Sequence, residues 1–173
     1  MTATLFSIGG LPATGKTTVA RALARRLRAA YLRVDTIEAA IVEHSELAHP
    51  VGVVGYAVGY RLAADQLQLG LDVVAESVNP LGITRDAWLA VATEAGAGAM
   101  EIEIICSDRA EHRRRVEHRT LDIDGLVPPT WEEIENRDYR PWDRDPLVLD
   151  TAVLTPTAAV QRVLQTLSRR RAG

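Results

Sequence analysis

Gly10-Leu11-Pro12-Ala13-Thr14-Gly15-Lys16-Thr17 places two glycines, an ammonium and a hydroxyl at the spacing G-x-x-x-x-G-K-[ST]. Those residue types suit the holding of a polyphosphate tail. Glycines allow successive backbone N–H groups to converge on phosphate oxygens, and a helix that starts at the end of the loop adds its partial positive charge. At this spacing the Lys16 ammonium would reach the β- and γ-phosphates of ATP and the Thr17 hydroxyl would ligate Mg²⁺. Gly10, Pro12, Ala13, Thr14, Gly15, Lys16, Thr17 and Thr18 are therefore the expected ATP-binding residues. Lys16 is also singular by composition: it is the only lysine among 20 basic residues, the rest being arginine. A chain so biased towards arginine that keeps one lysine, at the position where a compact ammonium is useful, supports a chemical role for it.

A loop of this kind works only between a strand and a helix, and the surrounding pattern supplies both. Leu5-Phe6-Ser7-Ile8 is a short apolar run stopped by Gly9-Gly10, and Val19, Leu23 and Leu27 recur at helical spacing after it. The alternation continues. Strands are predicted at Tyr31–Val34, ending at Asp35, at Leu71–Ala75, ending at Glu76, at Met100–Cys106 and at Leu147–Leu149. Helices are predicted at Ile37–Glu46, Val51–Leu69, Thr84–Ala95, Arg109–Thr120 and Thr157–Arg170. Gly52, Gly55 and Gly59 count against the second of these by about 1 kcal/mol each. Strand and helix in alternation specify an α/β fold, a parallel sheet with helices on both sides. Residues from Asp122 to Pro129, followed by a short helix around Trp131 to Arg137, are too polar and too punctuated for a core element and read as a mobile flap.

The 173 residues are enough for one domain with its own core, and 1–173 is read as a single domain with no repeat or linker. A net charge of −3 lacks the positive excess of a nucleic-acid-binding surface. No window approaches the roughly 20 apolar residues that span a bilayer, and the start of the chain lacks the pattern of a leader peptide. A lone cysteine, Cys106, has no internal disulfide partner, so a reducing cytoplasm is expected. His44, His49, His112 and His118 show no metal-site spacing with it. No nucleic acid or membrane partner is expected, and the chain is expected to be a monomer or homodimer.

Taken together, Gly9 to Ala24, Arg33-Val34-Asp35, the glutamate closing Leu71–Glu76, and Arg115-Val116-Glu117-His118-Arg119 resemble the small P-loop kinases. These are the AAA-type or zeta-toxin-like predicted kinases related to gluconate, shikimate and chloramphenicol kinases. The absence of a second lysine rules out the Asn-Lys-x-Asp guanine motif of common GTPases. The resemblance implies a three-layer P-loop NTPase fold with a five-stranded parallel sheet in the order 2-3-1-4-5 and a small helical lid over about residues 109–142. It implies phosphotransfer from ATP, with Mg²⁺, to a small-molecule acceptor.

The resemblance also implies roles for single residues, each set against a plainer one. Asp35, at the carboxyl edge of the sheet, would orient or deprotonate the acceptor hydroxyl; the plainer reading is a helix cap. Glu76 would hold magnesium through water or meet substrate, although aspartate is the commoner residue there, and it could be a simple surface carboxylate. Arg115 and Arg119, four apart on one helical face, would neutralise the transferring phosphoryl group from the lid, unless they form a solvated face with Glu111. Thr151 and Ala152 would lie against the adenine. Arg61 and Arg85 would meet an anionic or polyhydroxylated acceptor. Trp131, Tyr139 and Trp142 either clamp a ligand or pack the flap. The acceptor itself is open, as are two rival functions: a nucleotide kinase, and a non-catalytic ATP-binding switch.

Overall fold

In a computed structural model that describes residues 2–172, the chain forms five strands and seven helices. Met1 and Gly173, the ends of the expected domain, lie outside the described residues. In chain order these are β1 (Thr4–Gly9), α1 (Lys16–Leu27), β2 (Ala30–Arg33), α2 (Val34–Glu43), α3 (Val54–Gln68), β3 (Val73–Glu76), α4 (Gly82–Glu94), β4 (Gly98–Ile105), α5 (Arg109–His118), α6 (Trp131–Glu135), β5 (Leu147–Asp150) and α7 (Pro156–Ala172). The strands pair in the order β2-β3-β1-β4-β5, all parallel, as expected.

Alternate residues of the strands feed two cores. Phe6, Ile8, Val74, Ile102 and Ile104 point to the layer of α1 and α7, where they meet Val19, Leu23 and Val163. Leu5, Val73 and Ala75 point the other way, to Trp88 of α4 and Ala63 and Leu67 of α3. Both faces of β1 and β3 are thus buried, which explains why they read as continuous apolar runs and not as alternating ones. α3 survives its internal glycines because packing uses them: a Cβ on Gly59 would lie 3.3 Å from the Trp88 ring, and one on Gly55 would meet the Glu38 side chain.

Most boundaries shift by one to three residues, and three of the shifts have a visible cause or consequence. β2 ends at Arg33, and Val34 and Asp35 already belong to the first turn of α2. Asp35 is therefore neither a strand-end residue nor a helix cap. The chain turns without a glycine or proline because Val34 continues into the core, buried, as the first helical residue. α5 ends at His118, two residues early, so that Arg119 is its C-cap in extended conformation. β3 starts at Val73, since Asp72 uses its side chain to accept a hydrogen bond from the Thr4 N–H at 2.8 Å.

Register sets the level of the site. Ile8 of β1 and Arg33 of β2 both pair with Glu76 of β3, so the phosphate-loop entrance, a guanidinium and a carboxylate share one line at the carboxyl rim of the sheet. Open parallel sheets bind ligands along that rim.

Candidate active site

The loop from Gly10 to Gly15 joins β1 to α1 in a conformation its residues permit. Gly10 (φ 143°) and Gly15 (φ 96°) occupy backbone regions that side chains rarely adopt. At Gly10 an added Cβ would stand 2.2 Å from the Ile104 carbonyl oxygen of β4, so the loop passes directly over the neighbouring strand. Thr14 donates its hydroxyl to the Leu11 carbonyl at 2.8 Å, and the Lys16 Nζ donates to the same oxygen at 2.9 Å. α1 begins with no side-chain cap, which leaves its first N–H groups free for an anion. Lys16 is buried; desolvation pulls its pKa down, with Glu76 and Asp35 acting against that fall.

Thr17 and Glu76 meet below the loop. The Thr17 hydroxyl donates to Glu76 Oε1 and the Tyr31 hydroxyl to Oε2, both at 2.5 Å, and Glu76 is only 2 % exposed. Burial, reinforced by this carboxylate, raises the Tyr31 pKa and keeps it a donor. The surface-carboxylate reading of Glu76 is excluded by its burial. One hydroxyl and one carboxylate, both oxygen donors beside a phosphate loop, fit Mg²⁺, which takes few protein ligands and completes its shell with phosphate oxygens and water.

α5 lies against the loop. His112 bonds through Nε2 to the Pro12 carbonyl at 2.8 Å, with its ring edge-on to Trp131. Arg115 donates to Glu111 at 2.7 Å, to the Thr151 hydroxyl at 2.8 Å and to the Thr151 carbonyl at 3.1 Å. The Thr151 hydroxyl in turn donates to the Thr14 carbonyl at 2.6 Å. One turn on, Arg119 has a buried Nε with no hydrogen-bond partner. Desolvation lowers its pKa, opposed by the charge of Asp35.

A cleft of about 1030 Å³ opens between the phosphate loop, α2 and α5, with Tyr31, Glu76, His112 and Thr151 outside its lining. Pro12, Ala13, Gly15, Lys16, Thr17 and Thr18 line one wall, Asp35 and Glu38 of α2 another, and Arg115, Arg119 and the segment from Thr120 to Pro129 the cover. The cover is tied down by Asp122, which accepts from Arg33 at 2.8 Å and from Arg21 at 2.5 Å. The Arg33 hydrogen bond, more than Arg21, holds the Asp122 carboxyl at about 2.

Not every expected residue reaches the cleft. Gly10 and Thr14 shape the loop from behind it, and Thr151 and Ala152 stand outside its lining. Arg61 is exposed on α3, away from the cleft. Arg85, expected at the acceptor, is instead 1 % exposed in α4. It donates to the carbonyls of Asn79, Pro80, Arg140 and Pro141 and lies over the Trp142 ring at 4.2 Å. Trp131, Tyr139 and Trp142 are packing residues: Tyr139 donates to Glu103 at 2.8 Å and accepts from Trp142 at 3.2 Å. Conversely, Arg21, Tyr31, Arg33, Glu38 and Asp122 were not singled out in the sequence. Arg33 alone carried a usable signal, as a cation at the end of a strand that points to the rim.

The AAA domain family profile matches residues 5–129, from β1 through the cover of the cleft. The chain belongs to that family. As an AAA-domain chain it is also similar, over nearly its full length, to solved P-loop kinases. A provisionally assigned kinase from Chloroflexus aurantiacus is 26% identical with a TM-score of 0.72, the match covering 97% of both chains. A gluconokinase from Sinorhizobium meliloti 1021 is 18% identical with a TM-score of 0.62, covering 98% of each. The Mycobacterium tuberculosis APS kinase CysC, solved with AMPPNP and APS, is 18% identical with a TM-score of 0.68, covering 96% of this chain and 98% of that one. No curated protein sequence matches the chain. Among the described residues no helix is long and apolar enough to cross a membrane.

Proposed function

We propose that this chain is an ATP-dependent phosphotransferase that moves the γ-phosphoryl group of ATP onto a hydroxyl of a small molecule. The observation that carries this reading is the continuity of the cleft: one cavity is bounded by Lys16 and Thr17, by Asp35 and by Arg115 and Arg119. At about 1030 Å³ it has space for an acceptor beside a phosphate tail.

In this reading the loop N–H groups and Lys16 hold the β- and γ-phosphates, and Lys16 exchanges its bond to the Leu11 carbonyl for phosphate oxygens. Thr17 and Glu76 would hold Mg²⁺, which supplies charge neutralisation on the phosphates when bound. Asp35 accepts the proton of the acceptor hydroxyl as its oxygen bonds to phosphorus. The bond from phosphorus to the β–γ bridging oxygen breaks, and ADP leaves. Arg119, whose Nε lacks a partner, and Arg115 stabilise the charge spread over the transferring group. The cover held by Asp122 keeps water from competing with the acceptor. Residues 109–142 would act as the lid.

The test is ATP consumption over a panel of metabolites and antibiotics, with Lys16→Ala as the blank. Asp35→Asn is expected to abolish acceptor-dependent turnover while ATP affinity stays within about threefold. Turnover preserved in Asp35→Asn would remove the base assignment. ATP binding with no acceptor-stimulated turnover across the panel would favour a switch protein instead.

A further inference from the structure

The cleft is polarised. Lys16, Arg115 and Arg119 gather at the phosphate loop, while Arg21 and Arg33 share Asp122. Beyond Asp35 the wall turns acidic: Glu38 follows one helical turn later on α2 and faces the same cleft. Asp35 acts on both Lys16 and Glu38, and Arg137 acts on Glu38. Glu38, one turn further along α2, is taken as the end of the site away from the phosphate loop.

Neither carboxylate at that end is satisfied by the protein. Among the described residues Asp35 has no hydrogen bond, and its cation, Arg33, is 3.9 Å away. Glu38 has no hydrogen bond and no ion pair; Arg137, exposed and itself part of the cleft lining, influences it without either. Gly55 of α3 backs onto Glu38 so closely that a Cβ there would approach its Cγ to 2.4 Å, which leaves the carboxylate little room to turn out of the cleft. The lining of the cleft is mixed: Pro50, Tyr56, Leu126, Val127 and Pro128 are joined by Glu133 and Arg137. Burial pushes Glu38 up to about 7, Asp35 adds to that rise and Arg137 opposes it. Half-buried carboxylates in such a setting are relieved by a proton or by a cation, and a ligand can bring the cation. The two arginines expected to receive an anionic acceptor, Arg61 and Arg85, are elsewhere.

We infer that the acceptor is a hydroxyl compound bearing a protonated amine and no carboxylate or phosphate, its hydroxyl set at Asp35 and its ammonium at Glu38. The inference rests on the phosphotransferase reading and narrows its substrate. An ammonium between Asp35 and Glu38 offsets the repulsion between them. A ligand carboxylate there would be a third negative charge and would add to that repulsion.

The test uses two matched triplets, glucosamine, glucose and glucuronate, and serinol, glycerol and glycerate. Each is measured with Mg²⁺ and ATP for turnover, and with Mg²⁺ and AMPPNP for the rise in Tm that ligand binding produces. The amine-bearing member of at least one triplet is expected to exceed its neutral and acidic counterparts by about tenfold in kcat/KM or in affinity. Glu38→Gln, which keeps the side-chain shape that Gly55 demands, is expected to bring that preference within about threefold. Arg137→Glu, at an exposed position, is expected to widen it, and serves if Glu38→Gln does not fold. Equal or better use of the acidic members, no Tm rise with either amine, or an undiminished preference in folded Glu38→Gln would overturn the inference. ATP uptake by the wild type, followed by calorimetry, separates the two levels. Uptake without amine preference removes the substrate class alone, and no uptake removes the phosphotransferase reading with it.

Discussion

Replacing Gly10 by alanine would test the loop geometry without reference to any ligand. The new methyl would sit 2.2 Å from the Ile104 carbonyl oxygen, at least about 1 Å inside normal contact. Ile104 cannot step aside, because it lies in β4 between β1 and β5 and pairs with Leu149. The backbone at φ 143° adds strain of its own. Overpacking and backbone strain each cost about 1–3 kcal/mol, so about 2–6 kcal/mol together. For a chain of this size that is a fall in Tm of roughly 5–20 °C, at about 2–4 °C per kcal/mol. Gly96→Ala is the control: its φ is also positive, 64°, but nothing lies within 4 Å of the added Cβ. It should cost only about 1 kcal/mol. Thermal unfolding by circular dichroism would measure both. If Gly10→Ala melted within 2 °C of Gly96→Ala, by roughly the resolution of such melts, the close passage of the loop over β4 would be wrong.

Two further expectations concern the cover of the cleft. Asp122→Asn should destabilise the protein by about 1 kcal/mol at pH 7, an amount kept small because the Asp122 side chain is 43% exposed and its ion pairs are screened. Because its folded pKa of about 2 lies below the ordinary carboxylate value, that contribution is complete above about pH 4 and vanishes as pH falls towards 2. The Tm gap between wild type and variant should therefore close over that range, and a gap that persisted at pH 2 would refute the assignment. Arg85→Ala should cost about 3–5 kcal/mol, since it unpairs four carbonyls and uncovers Trp142. A red shift of tryptophan emission together with a Tm loss of roughly 6 °C or more is the expected reading, and unchanged values would make Arg85 a surface residue after all.

The strands, the helices and the phosphate loop were legible because each is local. Apolar runs, glycines at fixed offsets and helical spacing all fall within a few residues, whereas the strand order came from the resemblance to the small P-loop kinases. What was not legible joins distant parts of the chain. Arg33 and Asp122 are 89 residues apart, and neither residue type announces the other. Arg85 looks in sequence like any arginine of an amphipathic helix; only the folded position of Arg140 and Pro141 turns it inward. Glu38 was passed over for the same reason, as its character comes from Gly55, one helix away. The early end of β2 had a different cause: an apolar Val34 satisfies a strand and a buried helical turn equally well, so periodicity cannot place the junction.

The Thr151 hydroxyl is the meeting point of the tip of β5, the phosphate loop and α5, through Ile105, Thr14 and Arg115. Arg115 is thereby locked into one rotamer before any anion arrives, whereas Arg119 keeps an unclaimed nitrogen. Immobilising a long side chain opposes association by about 0.5–1.5 kcal/mol, and for Arg115 the fold has already met that cost. In the phosphotransferase proposed above, the two guanidiniums would thus divide the labour of recognition, one a fixed gauge for position and the other an adjustable finger.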